Sequence, residues 1–225
     1  MCIRDSVATY PKVAEVDAIV KKALAAAAEV GNTAIGEVSA DITTAFAGGS
    51  FVDGVWTGGT RDDRASESAL GNTVGNMLRD SLSSLPNGAV IGVTNPGGLR
   101  SELWDTQAEF GAAAVPGLAD GTISFSQANA VLPFNNTLAL VTLTGAQFET
   151  MLEQQWQRAA DGTVPQRPYL QLGLSDNVSY TYDAALPEGQ RITSVTVDGT
   201  PLDPAASYRI GCLLYTSPSP RDRTR

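Results

Sequence analysis

Apolar residues recur at helical spacing in three segments of the chain, and this pattern predicts three helices. The first helix covers residues 13–30. The second covers residues 68–85, with Ser66 or Glu67 where an N-cap or a first-turn acid is favoured. The third opens at Thr144. The three apolar stripes comprise Val13, Val16, Val20, Leu24 and Ala28, then Leu70, Val74, Met77, Leu78 and Leu82, then Phe148, Leu152 and Trp156.

Shorter apolar or alternating runs between these helices predict strands. They cover residues 35–42, 89–94, 121–125, 138–143, 177–182, 192–197 and 208–210. The glycine-rich residues 47–60 predict a loop, and Asp198-Gly199 predicts a hairpin turn. Because strands and helices are interleaved, the pattern favours an α+β (mixed α/β) domain, in which a mixed β-sheet carries flanking helices.

The two ends of the chain are related to each other at the level of DNA. The first six residues, MCIRDS, can be back-translated to a sequence whose reverse complement, read one frame over, encodes the run from Cys212 to Thr216. A sequencing adapter at both ends of a DNA fragment produces this relation, and a natural Ser/Pro/Arg-rich tail is the alternative. We therefore interpret residues 1–6 and 212–225 as adapter-like and the remainder as a fragment.

Composition narrows the classes of function. The 225 residues carry a net charge of −9 and include no histidine. An acidic balance argues against a nucleic-acid polymer as partner, because phosphate neutralisation drives that binding. A Ser-His-Asp or Cys-His nucleophile system needs an imidazole, and the P-loop and GxGxxG patterns are absent. We therefore predict no catalytic residue and no metal ligand in this chain.

Three polar segments beside apolar runs carry the candidate binding chemistry. They are RDDRASESALGN (residues 61–72), NPGGLR (95–100) and LPFNN (132–136). Glycines let backbone N–H groups approach a ligand, and an arginine fork fits a phosphate or a carboxylate. Together the segments suit an anionic, flat ligand such as a nucleotide. The candidate residues are Arg61, Arg64, Asn95, Gly97, Gly98, Arg100, Phe134 and Asn136.

Each segment also has a purely structural interpretation, which the residues alone leave open. NPGGLR is then a tight turn whose Arg100 pairs with an acid such as Glu102. The arginines of RDDR form, with the aspartates between them, a solvated charge cluster. In LPFNN, Phe134 becomes a core ring entering a strand, and the two asparagines become turn residues.

In order and spacing, four motifs resemble those of the C-terminal domain of the 5'-nucleotidase family. They are ESALGN, NPGGLR, LPFNNTLALVTLTGAQFETMLE and PLDPAASYRI. These are secreted or surface-anchored metallophosphoesterases that include bacterial UDP-sugar hydrolases. The resemblance implies that Arg64 and Arg100, with Arg61 as companion, contact the phosphate or ribose-proximal groups of a substrate. It also implies that Asn95 and the Gly97-Gly98 backbone line the pocket, Phe134 stacks on the base and Asn136 binds the base edge.

The resemblance further implies a division of labour. Residues 7–34 become a connecting helix from a missing N-terminal catalytic domain, which holds two divalent metal ions, and residues 35–211 become the truncated C-terminal domain. The fragment then needs no cofactor and is inactive alone. Its expected partners are an AMP-like nucleotide or nucleoside and the missing domain of an extracellular, periplasmic or cell-surface hydrolase. The alternative function is a non-enzymatic ligand-binding or adhesion module on the same scaffold.

Overall fold

The computed structural model describes residues 12–52, 55–61 and 63–214. The helices are α1 (Ala14–Gly31), α2 (Ala69–Ser83), α3 (Phe125–Val131) and α4 (Gly145–Glu153). The strands are β1 (Ala34–Glu37), β2 (Phe46–Ala47), β3 (Ser50–Val52), β4 (Val55–Thr57), β5 (Thr60–Arg61), β6 (Ile91–Thr94), β7 (Thr122–Ser124), β8 (Thr137–Thr144), β9 (Gly173–Leu174), β10 (Val178–Tyr182), β11 (Ile192–Val197), β12 (Thr200–Pro201) and β13 (Ser207–Leu214). Short 3₁₀ helices cover Pro96–Gly98 and Gln107–Ala113.

The described residues divide into two compact units, one formed by residues 12–40 with Trp104–Ala130 and the other by Asp41–Leu103 with the residues from Val131 onward. In the first unit, α1 confirms the predicted N-terminal helix, but its apolar stripe is exposed, with Leu24 64% accessible. The predicted strand over residues 35–42 is shorter: β1 ends at Glu37 and pairs antiparallel with β7. None of the helices described in the structure has the length and apolar character needed to cross a membrane.

A mixed four-stranded sheet forms the centre of the second unit, with strand order β8-β13-β6-β9. Strand β13 pairs antiparallel with β8 and parallel with β6, and β9 is antiparallel to β6. A separate antiparallel sheet has the order β10-β11-β12. This confirms the predicted mixed architecture. The predicted hairpin turn is also confirmed, because Asp198 and Gly199 both have positive φ, 51° and 71°, between β11 and β12.

Helix α2 packs against this sheet through the predicted stripe. Its buried side chains include Leu70, Val74, Leu78 and Leu82, whereas Met77 is 41% exposed, so its assignment to the stripe is wrong. The N-cap is Ser68, whose Oγ accepts a hydrogen bond from the Gly71 N–H at 3.0 Å. Neither Ser66 nor Glu67 is the cap, because the helix begins at Ala69, one to two residues later than those positions require.

The sequence predicted a loop over the glycine-rich residues 47–60, but the structure forms two nested strand pairs there. Strand β2 pairs with β5, and β3 pairs with β4. Gly48 and Gly49, with φ of 71° and 88°, separate the two pairs on one side, and Gly58 and Gly59 do so on the other. The glycines therefore interrupt the ladder without ending it, because they adopt left-handed backbone conformations at little steric cost.

Three further elements differ from the predicted boundaries. Helix α4 begins at a capping box formed by Thr144 and Gln147 and ends at Glu153, so Trp156 lies beyond it. Helix α3 is too short to produce a helical period in the sequence and was not predicted. Strand β13 continues to Leu214, and Cys212 pairs with Ala139 of β8. Of the ends that we interpret from the sequence as adapter-like, only residues 212–214 belong to the described part of the chain.

Candidate functional site

Contacts within the second unit bring the three candidate segments together. Arg61 Nη2 donates to the Leu99 carbonyl at 3.2 Å, which joins the first segment to the second. The Arg100 N–H donates to the carbonyl of Val131, the residue directly before the third segment, at 2.9 Å. A Cβ built on Gly97 would lie 3.0 Å from Arg64 Nη1, so the guanidinium of Arg64 lies against the NPGGLR turn.

The NPGGLR turn is a capped 3₁₀ turn at the end of a buried strand. Asn95 Oδ1 accepts from the Gly97 N–H at 2.8 Å, and the Asn95 carbonyl accepts from the Gly98 N–H at 3.0 Å. Both N–H groups that we expected to face a ligand are therefore used inside the turn. Gly97 has a different physical role here, because a Cβ at this position would lie only 3.0 Å from Arg64 Nη1 and 3.1 Å from Asn95 Oδ1, so those side chains would have to shift. A place for both glycines in the wall of a binding pocket stays a prediction.

Arg61 is held by a buried carboxylate. Glu102 is only 3% exposed, and it accepts hydrogen bonds from the Thr44 N–H at 2.5 Å, from Thr44 Oγ1 at 2.8 Å and from Arg61 Nε. Glu102 was considered from the sequence as a surface partner of Arg100, but in the structure it is a buried partner of Arg61. This ion pair fixes the Arg61 guanidinium next to the Leu99 carbonyl. Sequence reasoning missed Thr44 altogether, since the Thr43-Thr44 pair before a glycine-rich run carries no signal.

Replacing Glu102 with glutamine is expected to destabilise the second unit by about 2 kcal/mol, since either orientation of the amide turns its NH₂ toward a donor, the Thr44 N–H or Arg61 Nε, and leaves that donor unpaired. This loss of stability is smaller than that for a fully buried ion pair, because Arg61 is 32% exposed and partly screened by solvent. Urea unfolding of Glu102→Gln measures the effect, with Glu37→Gln as the exposed-carboxylate control. Equal unfolding midpoints for the two variants would show that this carboxylate has no structural role.

Arg100 presents the exposed cation of the site. Its side chain is exposed and has no hydrogen-bond or ion-pair partner among residues 12–52, 55–61 and 63–214.

In RDDR, Asp62 lies outside the described residues, and Asp63 accepts from the Ala65 N–H at 3.0 Å and from Ser66 Oγ at 2.7 Å. Asp63 therefore shapes the loop before α2.

Phe134 and Asn136 lie just before β8. Phe134 is 53% exposed, so the alternative that it is a core ring is wrong. Asn135 beside it has a φ of 50°, a left-handed conformation that asparagine tolerates. Asn136 is half-buried, and its amide has no partner within the described part of the chain. An exposed ring, an unpaired amide and an exposed guanidinium on linked segments can together hold a flat, anionic ligand.

Comparison with known proteins identifies the family of the chain. The family model described as 5'-nucleotidase, C-terminal domain, matches residues 29–218. The cell wall protein Lmo0130 of Listeria monocytogenes is 33% identical over 155 residues, which are 66% of this chain and 17% of that protein. A probable 5'-nucleotidase of Treponema pallidum is 30% identical over 132 residues, which are 55% of this chain and 18% of that protein.

A solved structure shares the fold. The 5'-nucleotidase precursor of Thermus thermophilus superposes with a TM-score of 0.55 at 25% identity, covering 88% of this chain and 33% of that one. The chain thus spans less than a fifth of the two curated relatives and a third of this structure.

Proposed function

Because the chain belongs to the 5'-nucleotidase C-terminal domain family, we propose that its second unit binds the nucleotide substrate of a larger 5'-nucleotidase-type phosphohydrolase. In this proposal Arg64 and Arg100 bind the phosphate or the groups near the ribose. Phe134 stacks on the base and Asn136 donates to or accepts from the base edge. Asn95, Gly97 and Gly98 form the wall between them, and Arg61 acts mainly by holding that wall in place.

One observation carries this proposal. The segments that contain Arg64, Arg100 and Phe134 are distant in sequence but linked by direct contacts in one unit. The linked segments offer an exposed guanidinium and an exposed ring. Base stacking and phosphate pairing both need their groups exposed, as these two are.

In this proposal catalysis takes place in another part of the parent protein. The two divalent metal ions that activate water would be held by an N-terminal domain, since this chain has no histidine to ligate them. The present chain contributes binding and orientation of the substrate. A secreted or surface location is supported by the names of its relatives, which include a cell wall protein and a 5'-nucleotidase precursor.

Isothermal titration of the 225-residue chain with AMP and with adenosine tests the binding proposal. We expect both ligands to bind and AMP to bind more tightly, because only AMP offers a phosphate to the arginines. Inorganic phosphate should compete with AMP and not with adenosine. If neither AMP nor adenosine binds, the nucleotide proposal fails. The non-enzymatic adhesion module, which the cell wall relative favours, then becomes the better interpretation.

The purified chain is expected to release no phosphate from AMP in the presence of Mg²⁺ or Mn²⁺. The physical reason is the absence of imidazole for both metal ligation and general base catalysis. Colorimetric phosphate assay measures the outcome, with a complete 5'-nucleotidase as the positive control. Metal-dependent phosphate release that follows the chain through purification would contradict the proposed division of labour.

A further inference from the structure

A cavity of about 660 Å³ opens on the second unit, beside the segment that follows Arg64. The N–H of its lining residue Gln171 donates to the Arg64 carbonyl at 2.8 Å. One wall is the segment between Arg64 and α2, and the other walls are β9 and β10. None of the eight candidate residues lines the cavity. The side chains that matter for its chemistry are Glu67, Asn72, Gln171, Ser179, Tyr180 and Tyr182.

The charge of this cavity is opposite to that of the proposed nucleotide site. Its charged lining residues are Glu67 and Asp176, and no lysine or arginine is among the described residues that line it. Asp176 accepts a hydrogen bond from Arg79 Nη1 at 2.5 Å, which lowers the pKa of the Asp176 carboxyl. Glu67 is exposed and accepts from Asn72 Nδ2 at 2.7 Å. Because the charged lining residues are acids, a phosphate or carboxylate ligand is disfavoured here.

The remaining lining is neutral and hydrogen-bonding. The Tyr180 hydroxyl accepts from Gln171 Nε2 at 2.8 Å and from the buried Gln155 Nε2 at 3.1 Å. Gln171 Oε1 accepts from the Tyr169 hydroxyl at 2.8 Å. This chain of amides and hydroxyls holds the cavity wall rigid, so a ligand would lose little free energy in ordering it.

Two tyrosine rings form a platform beside these polar groups. The ring centroids of Tyr180 and Tyr182 are 6.2 Å apart, with 31° between their planes. Tyr182 is 50% exposed, and its ring packs edge-on against Trp156 with centroids 5.3 Å apart. Because Trp156 also packs against Tyr169, the exposed ring is supported from behind. Tyr182 therefore presents a fixed apolar surface within a polar cavity.

We propose that this cavity binds a neutral saccharide of one or two units. The hydroxyls of a sugar need acceptors and donors side by side, which Glu67, Asn72 and Gln171 supply. Its C–H face needs an exposed aromatic ring, which Tyr182 supplies. Cavities of about 300–1,000 Å³ hold small molecules, so the volume suits a sugar better than a simple cation. This binding does not depend on the proposed nucleotide site.

Saturation-transfer NMR on the 225-residue chain tests the proposal with five probes. D-glucose, N-acetyl-D-glucosamine and maltose are the neutral sugars, glucose 6-phosphate is the anionic comparison and spermidine is the cationic one. We expect at least one neutral sugar to bind, to bind at least about tenfold more tightly than glucose 6-phosphate, and to remain bound in excess AMP. Failure of all three neutral sugars, displacement by AMP, or binding of spermidine alone would overturn the proposal.

Variants of two lining residues locate the binding. Tyr182→Ala should abolish the sugar signal, whereas Tyr182→Phe, which keeps the ring, should retain it. Glu67→Gln removes an exposed charged acceptor without removing packing and should weaken binding about tenfold. Glu67→Gln also remains informative if Tyr182→Ala fails to fold. Glu37→Gln is the matched control and should leave sugar affinity unchanged. Equal sugar affinity in wild type, Tyr182→Ala and Glu67→Gln would show that the sugar binds elsewhere, against the proposal.

Discussion

Replacing Gly92 with alanine is expected to lower the free energy of unfolding by about 3 kcal/mol or more, the upper end of what overpacking costs. Gly92 lies in the middle of β6, and neighbouring Ile91 and Val93 point into the core on the other face. A Cβ on Gly92 would lie 1.8 Å from the Gly75 carbonyl oxygen and 2.9 Å from the Arg79 backbone nitrogen. Both atoms belong to the backbone of α2, so no rotamer change can relieve the collision.

The same close approach extends along the whole contact between α2 and the sheet. A Cβ on Gly75 would lie 2.6 Å from the Leu174 carbonyl carbon, and one on Gly211 would lie 2.5 Å from the Leu78 carbonyl oxygen. Alanine at position 92 must therefore push the helix away from three strands at once. Because buried side chains on both elements lose contact when the helix moves, the cost exceeds that of a local adjustment.

Thermal and urea unfolding of Gly92→Ala measure this effect, and we expect a melting temperature lower by about 10 °C. Gly36→Ala is the matched control, since a Cβ there meets no atom within 4 Å and its φ is not positive. That control should stay within about 0.5 kcal/mol of the wild type. Similar midpoints for the two alanine variants would show that α2 does not lie as close to β6 as the structure places it.

Replacing Arg100 with alanine is expected to weaken the binding of AMP by about tenfold to a hundredfold, which corresponds to the loss of about 1.5–3 kcal/mol from a charged hydrogen bond. Adenosine should bind Arg100→Ala almost as well as it binds the wild type, because it lacks the phosphate. The exposed guanidinium has no protein partner among the described residues, so its removal leaves no orphaned acid behind. The change in affinity therefore reports the ligand contact alone.

Phe134→Ala provides the contrasting variant. Loss of base stacking costs about 1–3 kcal/mol and should weaken AMP and adenosine by the same factor. Arg158→Ala controls for removal of an exposed arginine, and Phe125→Ala controls for removal of an exposed ring that is 48% accessible. Titration calorimetry on all four variants separates the two roles. If Arg100→Ala weakens both ligands equally, the arginine does not bind the phosphate, and the assignment of this side chain is wrong.

Much of the secondary structure could be predicted because periodicity is a local property. The stripe of α2 and the alternation of β11 depend on residues only two to four positions apart. The nested strand pairs of residues 46–61 could not be predicted in this way. Their ladders depend on pairing across four glycines, and the short strands are hidden by the composition of a typical loop.

For the candidate site too, the sequence indicated features that depend on neighbouring residues but not the contacts between distant segments. Its residue types, an arginine after two glycines and a phenylalanine before two asparagines, indicated an anionic and flat ligand from the sequence alone. The partners of these residues could not be predicted, since the residues that form the pair between Arg61 and Glu102 are 41 positions apart. The contact between Arg64 and Gly97 could not be predicted either. The Arg64 guanidinium lies in space that is open because glycine has no side chain.

The sequence by itself determined the α+β class, most helices and strands, the family resemblance and the kinds of side chain available for binding. These depend on local periodicity and on motif order, which a linear chain records directly. Only the tertiary structure decided that Glu102 is buried against Arg61, that Phe134 is exposed, that the Gly97 and Gly98 N–H groups are used inside their turn, and that an acidic, tyrosine-lined cavity lies beside α2. Burial and charge pairing depend on which distant segments meet, and that is a property of packing.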